Sequence, residues 1–100
     1  MPQPISVIAV ITAKDGQEAA LRARQDVLVA ATLKEEGCLR YELNQSLDDP
    51  RILIFTELWA SEPAWRAHME GAAIKAFQSS GARDLIAEAK VHRMQVVAGK

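Results

Sequence analysis

The stretch ILIFTELW, residues 52–59, decides the fold. Its side chains are apolar on both faces of an extended chain, except at Thr56 and Glu57. Side chains alternate between the two faces of a strand, so a strand that is apolar on both faces needs cover on both. We therefore predict a central strand here. An isolated ionised carboxylate is costly to bury, so Glu57 must be solvated, paired or kept neutral.

A second strand of the same kind precedes it. ISVIAVIT, residues 5–12, is also apolar on both faces and rich in β-branched residues. Between the two, apolar positions recur at helical spacing over residues 17–36, and Gly37 follows where a helix would stop. The pattern predicts a strand, then a helix, before the chain reaches the next extended segment.

That next segment, CLRYELNQS at residues 38–46, alternates in polarity, which predicts a strand with Leu39, Tyr41 and Leu43 on one face. DDP then supplies turn residues. After the 52–59 strand, Ser61 is a candidate N-cap for a second helix.

The second helix and the last strand complete the order. The helix carries an apolar face formed by Trp65, His68, Met69, Ala72 and Ala76. KVHRMQVV, residues 90–97, predicts the final strand. We expect one α+β domain over residues 1–100, with the ferredoxin-like order β-α-β-β-α-β. In that arrangement, strands one and three lie in the middle of an antiparallel sheet with both helices on one face.

The other face of the sheet also needs cover. The apolar residues of the two central strands cannot all face the helices, because strand side chains alternate. These residues are Ile5, Ile8, Val10, Ile52, Ile54 and Phe55. A second copy packed sheet to sheet is the economical solution, so a homodimer is expected.

Composition excludes several classes of protein. The chain is 49% hydrophobic and 25% charged, as in an ordinary globular protein, and its net charge of -1 includes no basic stripe for nucleic acid. No apolar run approaches the roughly 18 residues that span a bilayer. Cys38 is the only cysteine, and the N-terminal residues 1–6 lack the pattern of a secretion signal. A cytoplasmic protein without nucleic-acid or membrane partners is expected.

Known site motifs are few. His68 and His92 lie on different predicted elements, and Cys38 has no CxxC or HxxxH companion, so no metal site is expected. The glycines are isolated, which removes the usual phosphate loop of nucleotide cofactors. Cys38 itself is more typical of a small packing residue than of a nucleophile.

One aromatic group can form a site. Phe55, Glu57 and Trp59 share a strand face by period two, and Trp65 and His68 share a helix face by their spacing of three. If the helix packs back on its own strand, an aromatic box with a polar group results. The same pattern also fits tryptophans that fill the core and a hydrogen-bonded core histidine.

Two arginines offer a structural role for the acid. Arg40 or Arg93 can pair with Glu57 across neighbouring strands, which would leave Glu57 without a role in chemistry. Arg24 lies in the apolar stripe of the first helix, where a side chain that extends to the rim is the simplest interpretation.

The chain resembles a known family. TLKEEGCLRYEL, residues 32–43, and FTELWASEPAWRAHMEGAAIKAF, residues 55–77, resemble the antibiotic-biosynthesis monooxygenase (ABM) family, especially its small bacterial quinol monooxygenase branch. The resemblance runs from the first strand to VHRMQVV, residues 91–97. It is sharpest at EEGC, at the E-x-W that ends strand three, and at the histidine nine residues after that tryptophan.

The resemblance implies a fold and an activity. Its fold is a dimer of ferredoxin-like subunits whose sheets form a joint α/β barrel. Family members oxidise dihydroxy-aromatic or polycyclic phenolic substrates with molecular oxygen and without flavin, haem or metal, so no cofactor is expected. An electron-rich phenolate can itself reduce oxygen, so the protein needs a dry aromatic pocket and groups that assist deprotonation. Haem degradation is not expected, because Gln78 stands where that branch has its iron-binding histidine.

The resemblance also implies roles for named residues. The catalytic candidates are His68, which would accept a proton, and Glu57, which would be an orienting group. Trp59 and Trp65 would line the cavity. Further candidates for substrate contact are Phe55, Met69 and Phe77. The alternative is a binder of a small metabolite or an isomerase-like protein on the same fold, because fold alone does not fix function. A polar, wet pocket would favour that alternative, and a dry aromatic slot would favour quinol oxidation.

Overall fold

A computed structural model describes residues 3–99. Met1, Pro2 and Lys100 lie outside the described residues. All three belong to the expected domain of residues 1–100, and Met1 and Pro2 also belong to the N-terminal residues 1–6, where no secretion signal is expected. The elements in chain order are β1 (Ile5–Ala13), α1 (Glu18–Thr32), β2 (Cys38–Gln45), β3 (Ile52–Trp59), α2 (Glu62–Met69), α3 (Ala72–Ser79), a 3-10 turn (Ala82–Leu85) and β4 (Ile86–Met94). The predicted β-α-β-β-α-β order is confirmed, with the second helix in two pieces.

The sheet is antiparallel with strand order β2-β3-β1-β4. The prediction that strands one and three are central is therefore confirmed, as is the ferredoxin-like fold. β1 and β3 pair from Ile5 opposite Trp59 to Thr12 opposite Ile52. Burial alternates along both strands, and their more deeply buried side chains form the core. Glu57 belongs to this buried set.

The alternation predicted for β2 is wrong at one residue. Tyr41 is buried and Leu43 is half-buried, whereas Leu39 is 58% exposed. A bulge causes the difference: Cys38 lies opposite Trp59, and the next paired residue, Arg40, lies opposite the adjacent Leu58. The extra residue, Leu39, breaks the period of two, as bulges do.

The helices differ from their predicted bounds. α1 ends at Thr32, not at residue 36, and the chain turns before Gly37. The single second helix is broken at Gly71, whose N–H donates to the carbonyl oxygen of His68 at 3.1 Å. The cap was predicted correctly, because Ser61 Oγ accepts a hydrogen bond from the Ala64 N–H at 3.2 Å. None of the helices within residues 3–99 has the length and apolar composition needed to cross a bilayer.

The last strand begins and ends earlier than the predicted residues 90–97. Its pairing with β1 runs from Ile86 opposite Ala13 to Met94 opposite Ser6. Because β1 begins at Ile5, only one of its residues remains beyond the pair of Ser6 with Met94. Val96 and Val97 favour a strand by propensity, yet they lie exposed beyond the pairing.

Gly37 is required by two constraints, and the first prediction tests them. Its φ is +84°, and an added Cβ would lie 2.6 Å from Cβ of Ala64 on α2. Gly37→Ala should therefore lower the free energy of unfolding by roughly 3 kcal/mol, the sum of left-handed strain and steric overlap. Gly16→Ala is the matched control, since its φ is +78° and no atom lies within 4 Å. It should cost only about 1–2 kcal/mol.

Urea denaturation of both variants measures the difference. In a double-mutant cycle, Ala64→Gly should recover the overlap part of the Gly37→Ala cost. Equal losses in Gly37→Ala and Gly16→Ala would show that the loop before β2 does not press on α2.

Candidate functional site

A cavity of about 120 Å³ lies between the sheet and the helices. Most of its lining is apolar and comes from β1, β3, β4 and all three helices: Val7, Ala9, Ile11, Leu28, Phe55, Trp65, Met69, Ile74, Phe77 and Val91. The polar side chains are Tyr41, Glu57 and His68. Exposed Met69 and Val91 place the opening of the cavity beside β4. The site is thus an apolar pocket with three convergent polar groups.

Glu57 is buried in the sheet next to this cavity. It lies opposite Val7 on β1 and Tyr41 on β2, and only 7% of it is exposed. Its Oε1 accepts a hydrogen bond from Trp59 Nε1 at 2.9 Å. That bond leaves Oε2 for a second donor. A buried carboxyl with one neutral donor is kept partly neutral rather than paired with a cation.

The alternative in which Glu57 pairs with Arg40 or Arg93 does not occur, because both arginines have other partners. Arg40 Nε lies 3.9 Å from Glu42, its neighbour but one on the same strand. Arg93 Nη1 lies 3.2 Å from Glu62 Oε1, and its guanidinium stacks over the Trp65 ring at 5.4 Å. Both guanidinium groups have exposed acidic partners, so neither neutralises the buried carboxyl.

The second prediction follows from this burial. Burial raises the pKa of Glu57 from its ordinary 4.5 to about 7, although the Trp59 hydrogen bond lowers it somewhat. The folded state thus binds the proton more tightly than the unfolded state. Stability from this group is full below pH 4.5 and is lost as the pH rises through about 7. Glu57→Gln, which keeps the acceptor for Trp59, removes this dependence.

Urea denaturation of wild type and Glu57→Gln at pH 4.5 and pH 8 measures it. Between pH 4.5 and pH 8, the free energy of unfolding of the variant relative to wild type should rise by up to about 3 kcal/mol, because one pKa unit corresponds to about 1.4 kcal/mol. Other titrating groups cancel in the comparison. Parallel pH profiles of the two proteins would contradict the burial of an uncompensated carboxyl.

His68, on α2, is the second polar group of the cavity. It is 3% exposed, and its Nδ1 lies 2.7 Å from Oε1 of Glu35. Its ring lies 4.6 Å from the Trp59 ring and 5.4 Å from the Tyr41 ring, centroid to centroid. Burial lowers the pKa of His68, while Glu35 acts to raise it. A neutral imidazole donating from Nδ1 to Glu35 has a basic Nε2, which suits it to accept a proton.

The predicted substrate-contact residues divide into two groups. Phe55, Trp65, Met69 and Phe77 line the cavity together with His68 and Glu57. Trp59 is not among the residues lining the cavity. It is fully buried, and it contacts Glu57 through its N–H and His68 through its ring. The structure places it behind the two polar groups, where it supports them.

Two residues of the site were not assigned a role from the sequence. Tyr41 is 5% exposed, and its ring lies 5.2 Å from that of Phe55. Burial, followed by the charge of Glu57, raises the pKa of the Tyr41 hydroxyl above its ordinary 10, so it stays a neutral donor. The alternation of β2 had already placed Tyr41 inward. Glu35 stands in the quoted EEGC motif, but no spacing rule connects it with a histidine 33 residues later.

The remaining candidates lie away from the cavity. Arg24 donates from Nε to the carbonyl oxygen of Ser80 at 3.0 Å, which ties α1 to the end of α3. Cys38 is half-buried, and burial raises the pKa of its thiol. His92 is exposed on β4. Across residues 3–99, no three His, Cys, Asp or Glu side chains come together as a set that could hold a metal ion.

Comparisons with known proteins agree on the fold and the sequence family. The family model described as antibiotic biosynthesis monooxygenase matches residues 4–80. Rv0793 of Mycobacterium tuberculosis, which carries a provisional monooxygenase name, is 34% identical over 55 residues, or 55% of this chain and 54% of that protein. The aligned segment therefore spans about half the length of that relative.

Solved structures extend the likeness over nearly the whole chain. PA3566 from Pseudomonas aeruginosa superposes with a TM-score of 0.89 at 32% identity and covers 98% of both chains. SO0527 from Shewanella oneidensis superposes with a TM-score of 0.86 at 32% identity, over 94% of this chain and 91% of that one. The sheet and the helical layer that enclose the cavity are thus shared.

Proposed function

Because the chain belongs to the antibiotic biosynthesis monooxygenase family, we propose that it is a cofactor-independent monooxygenase that oxidises a quinol or a related electron-rich aromatic with molecular oxygen. One observation carries the proposal. The cavity is apolar except where buried Glu57, His68 and Tyr41 converge on it. A dry pocket with a proton acceptor is what such an oxidation requires of a protein.

The chemistry balances without a further reductant. Nε2 of His68 accepts the proton of an aromatic hydroxyl, and the resulting anion gives electrons to oxygen. For a hydroquinone, C₆H₆O₂ + O₂ yields the hydroxyquinone C₆H₄O₃ and H₂O, so the substrate supplies all four electrons. One oxygen atom forms a bond to a ring carbon that loses its hydrogen, and the other leaves as water. Glu57, when protonated, donates a hydrogen bond to the second oxygen of the substrate.

The size of the cavity narrows the substrate class. An engineered cavity of about 150 Å³ in another protein binds benzene. The present volume of about 120 Å³ is therefore close to that of one aromatic ring. Single-ring quinols are the favoured substrates, and a polycyclic phenol would require the opening at Met69 to widen. Met side chains adapt readily, but room for several rings would need movement of α2 or α3 as well.

The alternative of a small-metabolite binder or isomerase-like protein draws less support. Polar metabolites need several hydrogen-bonding partners in their site, because a buried polar group without one is costly. Here aromatic and aliphatic side chains form most of the lining. The lining therefore favours an apolar ring with one or two hydroxyls.

An oxygen electrode tests the proposal. We expect the purified protein, after extensive dialysis against chelator, to consume oxygen with single-ring hydroquinones faster than the protein-free solution does. Two- and three-ring phenols should be poorer substrates. Turnover that vanishes with chelator and returns with added metal would overturn the cofactor-independent mechanism, and uptake with no substrate in the panel would overturn the function.

A homodimer in the cytoplasm is part of the proposal. Ile8, Val10, Ile54 and Leu58 point to the sheet face opposite the core, and all four are only half-buried in one chain. A second copy on this face would bury the roughly 1,200–2,000 Å² of a standard interface. The lone, half-buried Cys38 fits a reducing compartment.

The third prediction addresses this assembly. Analytical ultracentrifugation at micromolar concentration should give a dimer for wild type and a monomer for Ile54→Glu, because a charge on the buried face leaves an unpaired carboxylate. Val27→Glu is the control, since Val27 is 69% exposed on α1, away from that face. It should remain dimeric. A monomeric wild type would remove the argument from the apolar face.

A further inference from the structure

Glu35 contacts His68 from outside the cavity. It lies in the turn between α1 and β2, and it is not among the residues that line the cavity. Its Oε1 is 2.7 Å from Nδ1 of His68. A shallow groove on the outer side of α2 is bounded by Glu35, His68 and Gly71. His68 therefore borders both the inner cavity and this outer groove.

The contact determines which ring nitrogen of His68 carries the proton. An ionised carboxylate only accepts hydrogen bonds, so the Nδ1 that faces it must be protonated. In a neutral imidazole the other nitrogen, Nε2, then holds the free lone pair. The two nitrogens lie on different sides of the ring, so an Nδ1 held at the groove leaves Nε2 directed away from Glu35.

From this geometry we propose that Glu35 is a positioning residue: it fixes the tautomer and orientation of His68 so that Nε2 is available to a substrate hydroxyl, and its charge stabilises the imidazolium that forms. The proposal rests on the proposed function for its catalytic part. The tautomer itself does not depend on the identity of the substrate.

The surroundings of Glu35 suit this role. Two hydrogen bonds hold the Glu35 backbone. Its N–H donates to the Thr32 carbonyl oxygen at 2.9 Å, and its carbonyl oxygen accepts from the Cys38 N–H at 3.3 Å. The Glu35 side chain is 23% exposed, whereas that of His68 is 2% exposed. The carboxylate therefore reaches water at the groove while it holds the Nδ1 proton, and the imidazole itself does not. Glu35 also opposes the effect of burial on the pKa of His68.

The tautomer is measured directly by ¹⁵N NMR of the imidazole rings in the protein without substrate. His92→Gln leaves His68 as the only histidine and assigns its signals. Wild type should show protonated Nδ1 and unprotonated Nε2. Glu35→Gln should keep this form, because the amide oxygen still accepts from Nδ1, and Glu35→Ala should shift the ring toward the Nε2-protonated form. Glu36→Gln removes the adjacent, exposed charge and should change nothing.

Kinetics supply the second measurement. In Glu35→Ala, kcat should fall by roughly 10–100-fold with KM nearly unchanged, as for other side chains that orient a reacting group. In Glu35→Gln, kcat should fall less than in Glu35→Ala, because the glutamine keeps the tautomer and loses only the charge. Glu36→Gln should match wild type.

The two measurements separate the possible failures. An unchanged tautomer in Glu35→Ala would overturn the positioning role, and a changed tautomer with unchanged kcat would overturn its importance for turnover. If wild type consumes no oxygen with any quinol, the proposed function fails and the catalytic part of this proposal fails with it, while the NMR result still decides the tautomer.

Discussion

His68→Ala should lower quinol turnover by roughly 10²–10⁴-fold, the usual contribution of a general base. The reason is geometric: the imidazole of His68 borders the cavity, and in its neutral form Nε2 is free to accept a proton. Its Nδ1 is held by Glu35 at 2.7 Å, and its ring packs against Trp59. Without the imidazole, a substrate hydroxyl has Glu57 as the remaining candidate acceptor, and that carboxyl is half-protonated near pH 7.

The fold should survive this change. Glu35, which loses its partner, is 23% exposed and can be hydrated. Circular dichroism and the urea midpoint check this point. His92→Ala is the matched control, because His92 is exposed on β4 and its replacement should change neither turnover nor stability. Turnover in His68→Ala equal to that of the His92 control would discard the histidine as base.

Trp59→Ala should destabilise the protein by roughly 3–5 kcal/mol, the range for large aromatic truncations in a core. The side chain is fully buried, and it is the donor that satisfies Oε1 of Glu57. Its loss leaves a cavity and also a buried carboxyl without its donor. Since that hydrogen bond lowers the pKa of Glu57, the variant should also hold the Glu57 proton to a higher pH.

Trp65→Ala is the matched control for Trp59. Trp65 is half-buried, lines the cavity and carries Arg93 over its ring at 5.4 Å. Its removal should cost less stability and should act mainly on KM. Chemical denaturation of both variants measures the two losses of stability. A smaller loss for Trp59→Ala than for Trp65→Ala would contradict the assignment of Trp59 as core support and Trp65 as pocket wall.

The central strands could be predicted because their signal is local. Residues 5–12 and 52–59 are apolar on both faces, and only a central position in a sheet satisfies that pattern. The ends of the helices and strands were harder to predict from the sequence. The break at Gly71 and the end of β4 at Met94 depend on the positions of neighbouring elements, such as the start of β1 one residue beyond Ser6, the partner of Met94. A window of neighbouring residues carries no such information.

The site could be predicted in part for the same reason. Period two on β3 and the i, i+3 spacing on α2 brought Glu57 and His68 to one cavity. The same rules placed Trp59 in the aromatic box, and the family resemblance assigned it to the cavity wall, because neither gives the depth of a side chain. The role of Glu35 could not be predicted, since it lies in a turn and contacts His68 only when α2 folds back past the start of β2.

The stoichiometry of oxygen uptake tests the central claim most directly. With a limiting amount of a single-ring hydroquinone and chelator-dialysed protein, the oxygen electrode should record one O₂ consumed per quinol, and catalase added at the end should return no oxygen. That result places one oxygen atom in the product and one in water. Absence of protein-dependent uptake, or the return of half the oxygen with catalase, would contradict the account, because the latter signals reduction of O₂ to peroxide without oxygenation.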